Sequence, residues 1–219
     1  MFIGHYAVAL AAKKPAPNVS LGSLFLASQL IHLIWPLFLI LGIEHVRIAP
    51  GNTVVTPLEF YDYPITHSLV GVLSWSVFLG LFYFYIRREI VGSSVIALCV
   101  FSHWILDFIT HRPDLPLNPG SDKFFGLGLW NSLSGTLVVE AGLYIIGIAI
   151  YLNITKAKDK TGNYGFWSMI ILLLLIYAGN IFGSAPPSET VIGYAGLAGW
   201  IFIPWAYWID RHRELKSTA

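Results

Sequence analysis

Charge is what this sequence has least of. Aspartate, glutamate, lysine and arginine make up 11% of 219 residues, against roughly 25% in an ordinary soluble domain. With 56% hydrophobic residues and a mean hydropathy of +0.67, a soluble fold of this size could not hide its apolar surface. The chain therefore reads as an integral membrane protein. Cysteine is nearly absent: Cys99 alone excludes an internal disulfide and a thiolate metal cluster, and it reads as a small buried hydrophobe. The formal net charge of +1 leaves no basic field for nucleic acid. No internal repeat and no low-complexity tract is visible. The first fourteen residues have no charged n-region ahead of a long apolar stretch, so they do not read as a signal peptide.

Long apolar runs fill most of what remains. Met1 to Ala12 is too short to cross a bilayer and stops at Lys13-Lys14-Pro15, as a half-helix would. Full spans are expected at about Leu21–Ile43, Thr66–Ile86, Val91–Thr110, Leu133–Leu152, Phe166–Phe182 and Ile192–Ile209, each near the 20 residues a membrane needs. The fold class is thus an all-α polytopic bundle of about six spans with an N-terminal half-helix, in one membrane domain over 1–219. Pro36 is expected to kink the first span. Glu44 to Pro64 and the His111–Gly120 stretch read as loops rich in proline.

Loop charges set an orientation. Lys13, Lys14, Arg87, Arg88, Lys156, Lys158, Lys160, Arg211, Arg213 and Lys216 fall on one side, and only Arg47, Arg112 and Lys123 on the other. Because cytoplasmic loops retain the excess of basic residues, both termini are expected in the cytoplasm. At about 1.5 Å per helical residue, Asp107 then lies about 5 Å from the outer ends of the spans, His103 and Glu140 about 10 Å and His32 about 16 Å, with His67 and His111 near the surface. The half-helix lifts His5 toward the same layer, although reaching His67 requires a bend or a cavity.

Ionisable groups inside such runs mark function. His103, Asp107 and His111 recur every fourth residue and drift slowly around one helix face. Their alternative reading is an interhelical hydrogen-bond pair that locks the bundle. His111, at the helix end beside Arg112, reads as a solvent-facing cap. His32 has only Gln29 as a local partner. Histidine and carboxylate ligands without cysteine suit zinc first, then manganese or iron. The candidate ligands are His5, His32, His67, His103 and Asp107. Glu140 fits a general base or a carboxylate that orients a histidine, and Arg112 fits a phosphate clamp.

Gly4-His5, Thr66-His67-Ser68 and Ser102-His103 followed by Asp107 resemble the bacterial inner-membrane metal-dependent hydrolases of the YdjM type, which are similar to zinc-dependent phospholipase C and P1-type nucleases. The resemblance runs over residues 1 to 115, the hydrolase-like region; residues 116–219 add further spans and a cytoplasmic tail. It implies that His5, His67, His103 and Asp107 are metal ligands. This chain departs in the first span, where the family's proline-aspartate-x-aspartate pattern is replaced by Ser28-Gln29-Leu30-Ile31-His32. The expected activity is hydrolysis of a phosphoester or related bond in a lipid-like substrate among membrane lipids. Two rivals remain at this point: a transporter or permease whose polar residues relay protons or bind substrate, and a scaffold whose polar residues only fasten helices.

Overall fold

The computed structural model describes residues 1–216; the last three residues of the expected tail lie outside them. Serine and acidic caps set where most helices begin. A half-helix, α1 (Ile3–Ala12), is followed by α2 (Leu21–Ile40), whose first turn is closed by Ser20 accepting from the Ser23 N–H. A hairpin of β1 (His45–Ile48) and β2 (Leu58–Asp62) leads to a single turn, α3 (Pro64–His67). Ser68, in extended conformation, ends that turn and caps α4 (Leu69–Arg87) through the Gly71 N–H. Glu89 likewise caps α5 (Ile90–Thr110). A short antiparallel pair, β3 (Leu115–Pro116) and β4 (Phe124–Phe125), precedes α6 (Leu133–Ile154), which Ser132 caps. Then come β5 (Thr155–Ala157), α7 (Lys160–Phe182) capped by Asp159, α8 (Glu189–Leu197), a 3-10 turn, α9 (Phe202–Arg211) and β6 (Arg213–Leu215), which pairs with β5. Such caps satisfy N–H groups that a helix start leaves unpaired.

Among the described residues six helices are long and apolar enough to cross a membrane, with α8 and α9 forming the sixth as Glu189–Arg211. The all-α polytopic bundle stands. Several expectations are corrected in detail. The stretch from Glu44 to Pro64 contains a hairpin, and His67 precedes the second span instead of opening it. Pro36, where a kink is expected, lies inside α2; Gly193 and Gly196 of α8 pack onto that proline, where a Cβ on Gly196 would lie 2.5 Å from its Cγ. The sixth span is broken at Ala198–Ile201.

Two apolar clusters result. The larger lies within the bundle around α1, whose Ile3, Ala9 and Leu10 are wholly enclosed. The smaller joins Trp35, Leu39, Phe60, Tyr63, Leu115 and Trp130 above it. At the opposite end, Lys13 Nζ meets Asp210 Oδ1 at 3.1 Å and the β5–β6 pair gathers the α6–α7 connection and the C-terminal segment. Basic residues that the charge count assigned to one side thus share one end of the bundle.

Arg213 is buried at that end rather than solvated. Its guanidinium donates to Thr155 Oγ1 and the Gly162 carbonyl and lies 4.9 Å and 5.3 Å from the ring centres of Phe166 and Tyr151. Arg213→Ala leaves those acceptors and ring faces bare, and is expected to destabilise the protein by about 2–4 kcal/mol, read as a lower midpoint of thermal unfolding in detergent.

Candidate metal centre

Helix α5 contributes the two residues that the i, i+4 spacing set on one face. Asp107 Oδ2 lies 3.2 Å from His103 Nε2. α1 enters the bundle with its N-terminal turn beside them, so His5 Nε2 reaches Asp107 Oδ1 at 3.1 Å and the His5 ring stacks on His103 at 3.8 Å, only 3° from parallel. His32 of α2 stands edge-on to both rings, at 5.0 Å from His5 and 4.4 Å from His103. One ligand atom from each of His5, His32, His103 and Asp107 falls within 4.8 Å of every other, and the four could hold a metal ion. The Met1 ammonium also contacts Asp107 Oδ1, at 2.6 Å.

The outward-facing nitrogens decide what the inward ones can do. His103 Nδ1 faces the Ser28 carbonyl at 3.1 Å; a carbonyl only accepts, so the proton sits on Nδ1 and a neutral ring turns a lone pair inward from Nε2. His32 Nδ1 faces Gln29 Oε1 at 3.3 Å, with the same consequence. His103 Nε2 and Asp107 Oδ2, which face each other, are buried without a hydrogen-bond partner, and His5, whose Nε2 meets Asp107 Oδ1, has its other ring nitrogen buried and unpartnered as well. Two acceptors 3.2 Å apart call for a cation between them. A proton serves a single pair, whereas a divalent ion serves all four groups at once.

Of the five expected ligands, His67 stands outside the mutual set. Its Nε2 is 4.0 Å from Asp107 Oδ2, and its ring lies 6.0 Å from His32 and 5.7 Å from His103. α3 holds it at the outer edge of the group. Glu140 is bound to backbone: its Oε2 accepts from the Phe2 N–H at 2.8 Å and the Gly4 N–H at 3.3 Å, capping the half-helix that carries His5. Arg112 lies beside the β1–β2 hairpin, about a third exposed, 3.4 Å from Asp114 and 3.5 Å from Glu59.

His111 corrects the solvent-facing expectation. It is buried, with Nδ1 2.9 Å from Asp114 Oδ1 and its ring 4.2 Å from that of Trp130. Tyr63 donates to the same Asp114 oxygen at 2.9 Å and packs its ring 4.8 Å from His67. Sequence reasoning gave these residues no site role, nor did it find Glu44. Buried under the hairpin, Glu44 accepts through Oε1 from the N–H groups of Ile65 and Thr66 and through Oε2 from the Thr66 hydroxyl at 2.5 Å. Burial pushes its carboxyl above the usual range, against the pull of those donors. The one available signal was Thr66 itself, a hydroxyl adjacent to a candidate ligand.

A six-span bundle enclosing three histidines and an aspartate from α1, α2 and α5 defines a multi-pass membrane protein with a site able to hold a metal ion. The chain belongs to the YdjM inner membrane protein family, whose sequence profile matches residues 62–185. No curated protein and no solved structure matches it. The matched stretch takes in His67, His103, Asp107 and Glu140 and continues through α7, further than the residue-115 limit of the sequence resemblance; His5 and His32 lie before it.

Proposed function

We propose that this protein is a membrane-bound metal-dependent hydrolase that acts on a phosphoester or related bond in a lipid-like substrate. The observation that carries the reading is the pair of buried, unpartnered atoms His103 Nε2 and Asp107 Oδ2, joined by His5 and His32 in a cluster of three imidazoles and one carboxylate. That donor set, without cysteine, suits zinc. A bound zinc-type ion supplies a water that ionises near neutral pH and a Lewis acid that polarises a phosphoryl oxygen.

The chain's own residues account for the remainder. His5, His103 and Asp107 are closed off from solvent, while His32 is only partly buried, so substrate approaches across His32. The Ser28–His32 stretch, which has no carboxylate where the family pattern has acids, still serves the site: His32 stands in place of an acid, the Ser28 carbonyl fixes His103 and the Gln29 amide fixes His32. Glu140 acts by fixing α1 and hence His5. Arg112, on the rim, is the cation for a phosphate group. By the distribution of basic residues, the end holding Lys13 and Arg213 is cytoplasmic and Arg112 faces outward.

The test is hydrolysis of a phosphodiester lipid analogue by protein in liposomes, after chelator stripping and zinc restoration. Activity is expected only with metal. Asp107→Asn is expected to lower kcat/KM by about a hundredfold or more, since it removes charge from the ligand set. Hydrolysis that persists in the chelated protein would sink the proposal, and metal-independent substrate flux would favour a permease.

A further inference from the structure

A fourth histidine near the site has its orientation set by a residue far from it in sequence. His67 Nδ1 lies 2.7 Å from Thr66 Oγ1, and Thr66 Oγ1 lies 2.5 Å from Glu44 Oε2. The threonine oxygen has one proton to give. Three donors converge on Glu44, two backbone N–H groups on Oε1 and the Thr66 hydroxyl at Oε2, and they hold it as a carboxylate whose Oε2 can only accept. The hydroxyl proton therefore points to Glu44, and the Thr66 oxygen must accept from His67 Nδ1–H. His67 is left with its lone pair on Nε2, the atom 4.0 Å from Asp107 Oδ2. The arrangement repeats the outward N–H of His103 and His32, but the acceptor here is chemically reversible.

We propose that Glu44 is a positioning residue that, through the Thr66 hydroxyl, locks His67 in the tautomer that presents Nε2 as a ligand to the metal group. The proposal rests on the metal-dependent reading above. Its consequence is a switch of known sign. In Glu44→Gln the amide oxygen keeps the Ile65 and Thr66 N–H bonds and the NH2 group faces Thr66. Thr66 then accepts from residue 44 and donates to His67 Nδ1, which moves the ring proton to Nε2 and withdraws the lone pair from the site. Nothing changes in shape. Partners that orient metal-ligating histidines are typically worth 10–100-fold in metal affinity.

The experiment is 15N NMR of histidine-labelled, metal-free protein in lipid, with the His67 signal assigned by its loss in His67→Gln. Wild type is expected to show a protonated Nδ1 and a bare Nε2, and Glu44→Gln the reverse. Zinc titration of the same samples is expected to show a 10–100-fold weaker affinity in Glu44→Gln and in Thr66→Val, with Thr66→Ser within about twofold of wild type. A wild-type His67 protonated on Nε2, or a tautomer unchanged by Glu44→Gln, overturns the proposal. The NMR signal is read without metal, so wild type that fails to bind zinc overturns the metal reading alone and leaves the tautomer relay to be judged by the spectra. If Glu44→Gln does not fold, Thr66→Val against Thr66→Ser decides, since only the serine retains the hydroxyl.

Discussion

His103→Ala, purified in detergent without chelators beside wild type, is expected to lose essentially all of its bound metal while remaining inserted and folded. Wild type is expected to carry about one zinc-type ion per chain by elemental analysis. His103 is the hinge of the cluster: its Nε2 faces Asp107 Oδ2, its ring is stacked by His5, and His32 meets it edge-on. Its Nδ1 is held by the Ser28 carbonyl, so its orientation is set before any ion arrives. Structural zinc binds with roughly 10–16 kcal/mol at neutral pH, so one of four ligands carries about 3 kcal/mol, or about a hundredfold in affinity. Removing the imidazole also deprives His5 of its stacking partner, which pushes the loss beyond the single-ligand share. The fold survives because α5 is otherwise held by apolar and small-residue contacts, including Gly80 of α4, where a Cβ would come within 2.9 Å of Ala97 Cβ. Stoichiometric metal in His103→Ala would remove the cluster from consideration as a metal centre.

The parts of this site that the sequence made legible are those fixed within one helix. His103 and Asp107 share a face because they are four apart in an apolar run, and no tertiary knowledge is needed to see it. His32 was legible as an ionisable group without an adequate local partner. Depth along the spans brought His5 into the correct layer, since α1 covers about 15 Å from its Lys13 end. What could not be read is lateral placement. A straight span would keep His67 away from His5; Ser68, in extended conformation, separates α3 from α4 and frees His67 to lean inward. The burial of His111 is not legible in sequence because its cover, Trp130 and Phe60, comes from remote segments that form a second apolar cluster. Glu44 returns to Thr66 across a hairpin, and no periodicity encodes that return.

The packing of α1 against α6 carries the other large expected effect. α1 is too short to cross a bilayer, and in lipid there is little hydrophobic drive to hold it inside the bundle. Close backbone approach and polar bonds must do so. On α6, Thr136, Glu140, Tyr144, Gly147 and Tyr151 are buried along one face, at the four-and-three spacing of a helix seam. Two of them grip α1. Glu140 binds the N–H groups of Phe2 and Gly4, and two turns further Gly147 lies so near Ala7 that a Cβ would stand 2.6 Å from its carbonyl oxygen and 2.8 Å from its Cα. Backbone cannot move aside as a flexible side chain would. Gly147→Leu is therefore expected to lever α1 off α6, costing about 3 kcal/mol or more by overpacking. Glu140→Leu leaves two buried N–H donors unpaired, at about 1–3 kcal/mol each. Both changes act at residues that touch no candidate ligand atom among the described residues, yet both are expected to lower metal content, because His5 travels with α1. The graded series Gly147→Ala, Val, Leu should lower the unfolding midpoint and the metal occupancy together, with His5→Ala matching the metal loss of the leucine variant but not its loss of stability. If occupancy holds while the midpoint falls, α1 is a structural plug, and His5 does not contribute to the centre.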